Sequence, residues 1–163
     1  MRFQHMKSQA AKYTFKDKKV RLWVERHVEG RVLNLFAGKT LLNCNEYRND
    51  IREEMPADCH KDALEFVKTW TGDKFNTIIL DPPFSARKSR EKYRGAMASP
   101  LRILKDSLIN ILALRGIVIT FGYHSISMGK YRGFQVERIL IISHGGSQHD
   151  TIATIERRIP SLI

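Results

Sequence analysis

The segment Asn76-Thr77-Ile78-Ile79-Leu80-Asp81-Pro82-Pro83-Phe84 decides how this chain is interpreted, because an apolar run stops abruptly at an acid, two prolines and an aromatic ring. A short apolar run bounded by such residues is typical of a buried strand. Proline fixes φ and has no N–H, so the chain must leave the sheet in a stiff turn. We expect Asp81 and Phe84 at the carboxyl end of this strand, where open α/β sheets bind ligands.

Composition limits the architecture and favours one class of partner. The chain has 163 residues with 42% hydrophobic content, enough for one ordinary core, so we expect residues 1–163 to form a single minimal domain. Its 28 Lys and Arg against 17 Asp and Glu leave a formal charge of +11. Such an excess favours a polyanionic partner, and nucleic acid is the first candidate.

Cysteine usage and the N-terminal sequence indicate a cytoplasmic protein. Cys44 and Cys59 lack the spacing of a metal site, and the first residues lack the apolar core of a signal peptide or membrane span. His144, His149 and Asp150 lie in one polar loop without the ligand spacing of a zinc site. We therefore expect no metal and no membrane association.

The hydrophobic periods alternate between helix and strand, which predicts an α/β fold. The predicted helices are Lys16–Val28, Ala63–Trp70 and Pro100–Leu114. Besides the strand before Asp81, the predicted strands are Val32–Phe36, Tyr47–Ile51, Ala57–His60, Gly116–Tyr123, Val136–Ser143 and Thr151–Arg158. The last two should form an antiparallel hairpin on a mostly parallel sheet. Too few residues separate Gly38 from Ala57 for normal crossover helices, so one flank of the sheet should be thinly covered.

Asp81-Pro82-Pro83-Phe84 resembles motif IV of the S-adenosylmethionine-dependent methyltransferases that modify exocyclic amines of nucleic-acid bases, particularly adenine N6. The resemblance implies a Rossmann-like class I methyltransferase fold and catalytic roles for these four residues. Asp81 and the Pro82 carbonyl would accept hydrogen bonds from the N–H groups of the amine. Phe84 would stack on a base flipped out of its helix.

Val32-Leu33-Asn34-Leu35-Phe36-Ala37-Gly38 resembles motif I of the same family, which contacts the cofactor. The resemblance implies that Asn34, Phe36, Ala37 and Gly38 contribute to an S-adenosylmethionine site. Glycine allows close approach of the backbone to a ligand. Two positions depart from the family pattern: Asn34 replaces an acid, and Lys39-Thr40 follow where a second glycine is usual.

Further cofactor contacts follow from the order of polar residues along the chain. In this family an acid after the second strand receives the ribose hydroxyls, and an acid before the next helix approaches the adenine amine. Asp50 and the Asp62-Ala63 pair occupy these places, and Tyr13 precedes the first helix where related enzymes place an aromatic residue. Asp62 would also suit a helix cap.

The basic segment after Phe84 is the expected substrate contact. Its proposed nucleic-acid ligands are Arg87, Lys88, Arg90, Lys92 and Tyr93. Basic side chains bind phosphates and a tyrosine ring stacks on bases. DNA is favoured over RNA. With no added recognition domain, sequence selectivity would come from loops, a specificity subunit or self-association.

Three alternatives remain open at the sequence level. An RNA substrate, modified at adenine N6 or guanine N2, also fits the motif. A catalytically silent nucleic-acid-binding subunit would explain the altered glycine pattern. Gly38-Lys39-Thr40 could also end the phosphate-binding loop of a nucleotide hydrolase, but that loop requires a glycine where Leu33 stands.

Overall fold

The computed structural model describes residues 1–9, 11, 13–82, 101–146 and 148–160. It contains one seven-stranded sheet in the order β1-β6-β7-β5-β4-β2-β3. The strands are β1 (Arg2–Lys7), β2 (Val32–Asn34), β3 (Glu46–Arg48), β4 (Phe75–Leu80), β5 (Leu112–Gly122), β6 (Phe134–Ser143) and β7 (Thr151–Arg158). Among the described residues the helices are α1 (Lys18–His27), α2 (Ala63–Thr69) and α3 (Leu101–Ser107), with 3-10 turns at Thr14–Lys16, Leu108–Asn110 and Lys130–Arg132.

The sheet is mostly parallel, as predicted. β2 pairs in parallel with β3 and with β4, β4 with β5, and β1 with β6. Among these seven strands, β7 alone runs antiparallel to its neighbours, between β5 and β6. The expected C-terminal antiparallel hairpin is therefore confirmed, with β7 at the predicted bounds of Thr151–Arg158.

Two apolar layers cover the faces of the sheet. On one face, Phe66 of α2 and Leu104 of α3 pack against Ile78 and Leu80 of the buried strand β4. On the other face, Val20, Trp23 and Val24 of α1 pack against Ile79 of the same strand. Alternate residues of β4 therefore enter different layers, and the strand before Asp81 is buried from both sides.

The flank between β2 and β3 is thinly covered. Residues 35–45, all of which the structure describes, form no helix. Leu42 and Cys44 of this segment pack against the α1 layer instead. The expectation of shortened crossover helices is correct here.

Several predicted boundaries are wrong for identifiable reasons. The helix predicted over Pro100–Leu114 ends at Ser107 and passes through a 3-10 turn, because Leu112 pairs with Phe75 at the start of β5. The strand predicted over Ala57–His60 is reduced to a single bridge between Asn49 and Cys59. Asp17 accepts N–H bonds from Lys19 and Val20, which starts α1 at Lys18 rather than Lys16.

Strand β1 was not predicted. Its side chains are mostly exposed and polar, so it carries no alternating apolar pattern. It lies at the edge of the sheet, and Gln4 accepts a 2.7 Å hydrogen bond from the Trp23 indole of α1. Tertiary pairing with β6, rather than its own burial, makes this segment a strand.

Candidate functional site at the carboxyl edge of the sheet

The loops that follow β2, β3 and β4 meet at one edge of the sheet, because these strands are parallel neighbours. Register places Asn34 of β2 beside Arg48 of β3 and Ile79 of β4. Residues 37–40, which we name the cofactor loop after the role expected from the sequence, therefore lie between Asn49-Asp50 and Asp81. The sequence-predicted residues from three separate motifs are neighbours at this edge.

Tyr13, Gly38 and Asp50 come together as expected. The Gly38 N–H donates a 2.8 Å hydrogen bond to Asp50 Oδ2, and Gly38 has φ of +60°. A Cβ atom at Gly38 would lie 3.4 Å from Cδ1 of Tyr13. Any other residue would be strained by the left-handed backbone, which explains the glycine, while its Cβ would meet the Tyr13 ring at ordinary contact distance.

The Asp50 carboxylate is already well supplied with donors. Besides Gly38, it receives the Arg52 N–H at 3.1 Å, Arg52 Nε at 3.1 Å and Arg52 Nη2 at 3.3 Å. Both side chains are less than a tenth exposed. A carboxylate has about four lone-pair positions, so ribose hydroxyls at Asp50 would have to displace some of these bonds.

Two cations stand near the Tyr13 ring. The Lys39 ammonium lies 5.8 Å and the Arg52 guanidinium 6.0 Å from its centroid. Sequence reasoning did not assign Arg52, although its position two residues after Asp50 is a signal for a local ion pair. The Lys39 ammonium and the Arg52 guanidinium thus lie beside the cofactor loop.

Asp62 caps α2: its Oδ1 accepts hydrogen bonds from the backbone N–H groups of Leu64 at 3.0 Å and Glu65 at 3.3 Å. Ala63 is buried in the adjoining core. The Asn49 amide connects this helix start to the strand edge, since it donates to the carbonyls of Leu35 and Lys61. The hydrogen bonds of the helix cap thus fix the position of the Asp62 side chain near the site.

The remaining motif I residues are internal. Asn34 is fully buried and donates from Nδ2 to Glu46 Oε2 at 3.1 Å, while its Oδ1 has no hydrogen-bond partner among the described residues. Ala37 is buried, and its N–H donates to the Asn49 carbonyl. Phe36 is partly buried against the α2 layer.

Arg48 is a site residue that the sequence analysis missed. Its guanidinium donates to the carbonyls of Ala37 at 3.2 Å, Gly38 at 2.8 Å and Thr40 at 2.9 Å, so it contacts the cofactor loop three times. It also pairs with Glu46 at 2.6 Å, and both side chains are about 5% exposed. The only sequence signal was two opposite charges at alternate positions of a strand beside the glycine loop.

The acid of the proline motif lies where it was expected. Asp81 is partly buried directly after β4, and Pro82 is buried. Leu80 pairs with Thr120 of β5, so Asp81 emerges between the loops of β2 and β5. The other residues assigned to catalysis and substrate binding lie outside the described residues: Pro83, Phe84, Arg87, Lys88, Arg90, Lys92 and Tyr93.

The titration of Cys44 reflects this polar network. Burial, with the nearby carboxylates of Glu46 and Glu25, raises the pKa of the Cys44 thiol to about 11. Within the described ranges, no three His, Cys, Asp or Glu side chains form a metal-binding group. Across the same part of the chain, no helix has the length and apolar composition that a membrane crossing requires.

No protein-family model matches the chain, and no curated protein matches it by sequence. Solved structures do share its fold. The Escherichia coli protein yhhF, assigned as a methyltransferase, has a TM-score of 0.54 at 14% identity, covering 87% of this chain and 84% of that one. TrmN from Thermus thermophilus has a TM-score of 0.57 at 15% identity, covering 86% and 48%.

SMU.776, assigned as a methyltransferase and solved in complex with SAH, has a TM-score of 0.58 at 14% identity, covering 89% of this chain and 50% of that one. The chain thus spans about half the length of TrmN and SMU.776. Identities this low carry the fold alone. The chain has the Rossmann-like fold of the class I S-adenosylmethionine-dependent methyltransferases.

Proposed function

We propose that the protein binds S-adenosylmethionine and transfers its methyl group to an exocyclic amine of a nucleic-acid base, adenine N6 in DNA in the first instance. The observation that carries the proposal is the position of Asp81-Pro82 at the end of buried β4, next to the loop that contains Gly38. In the class I fold this edge is where a cofactor and a substrate meet. Methyl donation needs an electrophilic methyl group, which the cofactor would supply.

The residues around Gly38 suit this cofactor. Gly38 has no side chain of its own, so a ligand can approach its backbone beside the Tyr13 ring, which lies 3.4 Å from the Cβ position. Lys39 and Arg52 place positive charge near Tyr13, which suits the carboxylate of the methionine part. Asp50 would accept ribose hydroxyls after releasing part of its bonding to Arg52, and Asp62 would offer an acceptor to the adenine amine beside its role as a helix cap.

Asp81 is assigned to the target amine. Its carboxylate would accept an N–H bond, with the Pro82 carbonyl as a second acceptor, and so turn the nitrogen lone pair toward the methyl group. This role explains why an acid stands before two prolines at the end of an apolar strand. A protein that only binds nucleic acid has no chemical need for that arrangement.

The phosphate-binding alternative has little structural support. Its anion site requires a helix N-terminus directly after the glycine loop, and residues 35–45 form no helix. The N–H groups of Ala37 and Gly38 already donate to the Asn49 carbonyl and to Asp50 Oδ2, so they are not free to bind a phosphate.

A catalytically silent nucleic-acid-binding protein is the second candidate. The filled donor set of Asp50 favours it, because Arg52 holds the positions that ribose hydroxyls would take. Titration calorimetry with S-adenosylmethionine and with magnesium-ATP separates the candidates. Saturable S-adenosylmethionine binding supports the methyltransferase, whereas absence of binding favours the silent protein, and binding of magnesium-ATP alone would revive the nucleotide hydrolase.

The net charge of +11 supports a nucleic-acid partner, and the segment from Arg87 to Tyr93 is proposed to bind its phosphates. Replacing Arg90 and Lys92 with Ala should lower the slope of log affinity against log salt by about 0.7–0.9 for each phosphate that the variant no longer neutralises. Lys68 and Lys74 are exposed and provide a control with the same charge change. Equal slopes for the two double variants would place the nucleic-acid surface elsewhere.

A further inference from the structure

Arg48 uses every N–H group that its side chain has. Nε donates to the Pro56 carbonyl at 2.7 Å, Nη1 to Thr40 and Glu46, and Nη2 to Ala37 and Gly38. A guanidinium carries five N–H donors, so all five have acceptors. Four of the acceptors are backbone carbonyls, and three of these belong to the cofactor loop.

The geometry points to Arg48 as the residue that positions the cofactor loop for S-adenosylmethionine, an inference that rests on the proposed function. The loop lacks a second glycine, since Lys39 and Thr40 follow Gly38. No helix follows it to fix its direction. One buried cation that gathers the carbonyls of residues 37, 38 and 40 fixes the turn from inside, and a glycine pattern is then not needed for this purpose.

The same hydrogen bonds control the ligand-facing side of the loop. The Ala37 carbonyl and the Gly38 N–H belong to one planar peptide group, so with that carbonyl bound to Arg48 the N–H points to Asp50 Oδ2 on the other side. Arg48 therefore sets the position of Gly38 relative to Asp50 and Tyr13, the residues assigned to the cofactor. Arg48 contacts Ala37 and Gly38 only through their carbonyls and is not itself assigned to the ligand, so it acts as a positioning residue.

The charge of Arg48 is balanced within the network. Glu46 Oε1 pairs with Arg48 and also accepts the Leu42 N–H at 2.9 Å, and Glu46 Oε2 accepts from Asn34. This network includes Asn34, the residue that replaces the acid of the family pattern. The two departures from motif I thus lie around one buried ion pair, which links them physically.

Lysine cannot reproduce these hydrogen bonds. It keeps the charge but has one nitrogen with three donors and no planar fork, so at least two of the five acceptors lose their partner. The cofactor loop must then shift or leave buried carbonyls unpaired. Arg48→Lys is therefore the informative substitution.

The experiment is calorimetric titration of the full chain with SAH, comparing wild type, Arg48→Lys and Arg158→Lys. Arg158 is the matched control, because it also donates to two backbone carbonyls, those of Ile109 and Leu112. These carbonyls lie where β5 begins, at the end of the sheet away from the candidate site. Thermal unfolding of each variant measures the general loss of stability. We expect Arg48→Lys to weaken SAH binding about tenfold or more, the value of one unmade buried hydrogen bond, and Arg158→Lys to bind within about twofold of wild type.

Glu46→Gln keeps the experiment decisive if Arg48→Lys does not fold. This variant retains all five Arg48 donors but removes the charge that balances Arg48. We expect its loss of SAH affinity to be smaller than that of Arg48→Lys. Wild-type affinity in Arg48→Lys, or in Glu46→Gln where only that variant folds, would overturn the inference. An equal loss in Arg158→Lys would also overturn it, since the effect would then follow stability alone. If wild type itself does not bind SAH, the proposed function falls, and the inference falls with it.

Discussion

Two loops of this protein are held by single buried ions of opposite sign. Beside the candidate site, Arg48 gathers carbonyl oxygens of residues 37, 38 and 40. Beneath the α3 face of the sheet, the fully buried Glu156 of β7 gathers the N–H groups of Ser127, Met128 and Gly129 at 2.7–2.9 Å. A strand side chain of the right sign can thus replace regular secondary structure in satisfying a loop backbone.

The difference between the two loops lies in what adjoins them. The loop held by Arg48 contains Gly38 and faces Tyr13 and Asp50. The loop held by Glu156 contains Met128, which packs into the core beside Phe134. We therefore expect changes at Arg48 to alter ligand binding, and changes at Glu156 to alter stability only.

The largest expected effect is at Asp81, which belongs to neither anchor. Asp81→Ala should reduce methyl transfer by about 10²–10³, because it removes an acceptor directed at the target amine. SAH affinity should remain near wild type, since the hydrogen bonds of Arg48 and Asp50 are unchanged. Steady-state rates with S-adenosylmethionine and a DNA substrate measure the effect. A variant with wild-type activity would contradict the assignment of Asp81.

Glu156→Gln tests the second loop anchor. One carboxylate oxygen becomes an NH₂ group that faces backbone N–H donors, so the free energy of unfolding should fall by about 2–3 kcal/mol. Chemical denaturation measures this loss. SAH affinity of the folded variant should equal that of wild type. A matching loss of affinity would show that the two loops are coupled and would end the contrast between them.

The reactivity of the Cys44 thiol measures how often the region around Arg48 and Glu46 opens to solvent. With its thiol pKa raised to about 11, only about one molecule in a thousand carries the reactive thiolate at pH 8. Alkylation of Cys44 by iodoacetamide at this pH should be at least tenfold slower than that of a free cysteine. Mass spectrometry of the modified peptide gives the rate, and a rate equal to that of free cysteine would show that this region opens readily.

The smallest effect is expected at Asp17, the N-cap of α1. Burial by itself raises the pKa of this carboxyl, but hydrogen bonds from the Ser8 hydroxyl and the N–H groups of Val20 and Lys19 lower it overall. Its contribution to stability is therefore present above the ordinary pKa of 3.8 and is lost as the pH falls through the lowered value. Asp17→Ala should cost about 1 kcal/mol at pH 7, and the difference from wild type should shrink in acid. Denaturation at both pH values measures it.

The sequence predicted those parts of the molecule whose signal is local. The apolar run before Asp81 identified β4, and the order of Gly38, Asp50 and Asp81 identified three loops that the sheet brings to one edge. Strand β1 carried no such signal, because it is exposed and depends on pairing with β6. The helix predicted to reach Leu114 ends early, because Leu112 pairs with Phe75 at the start of β5 and this long-range pairing leaves no local signal in the sequence.

The site itself was only partly predictable. Motifs name the residues that are expected to face a ligand, such as Gly38 and Asp50. They do not name the side chains that support the backbone from behind, since a charged pair such as Glu46 and Arg48 in a strand is ordinarily exposed. Its burial depends on carbonyls supplied by residues as distant as Pro56. Only the folded arrangement shows that these charges are satisfied.

If this edge of the sheet methylates a base amine, the methyl group must be found on a nucleic-acid base. The most direct measurement uses S-adenosylmethionine with a labelled methyl group, wild-type protein, and separate pools of DNA and RNA, followed by nucleoside analysis. We expect label in DNA as N6-methyladenine, and Asp81→Ala should incorporate about 10²–10³-fold less label. Label in RNA alone would show that the substrate is RNA rather than DNA. No label in either pool, from protein that binds S-adenosylmethionine, would contradict the proposed function.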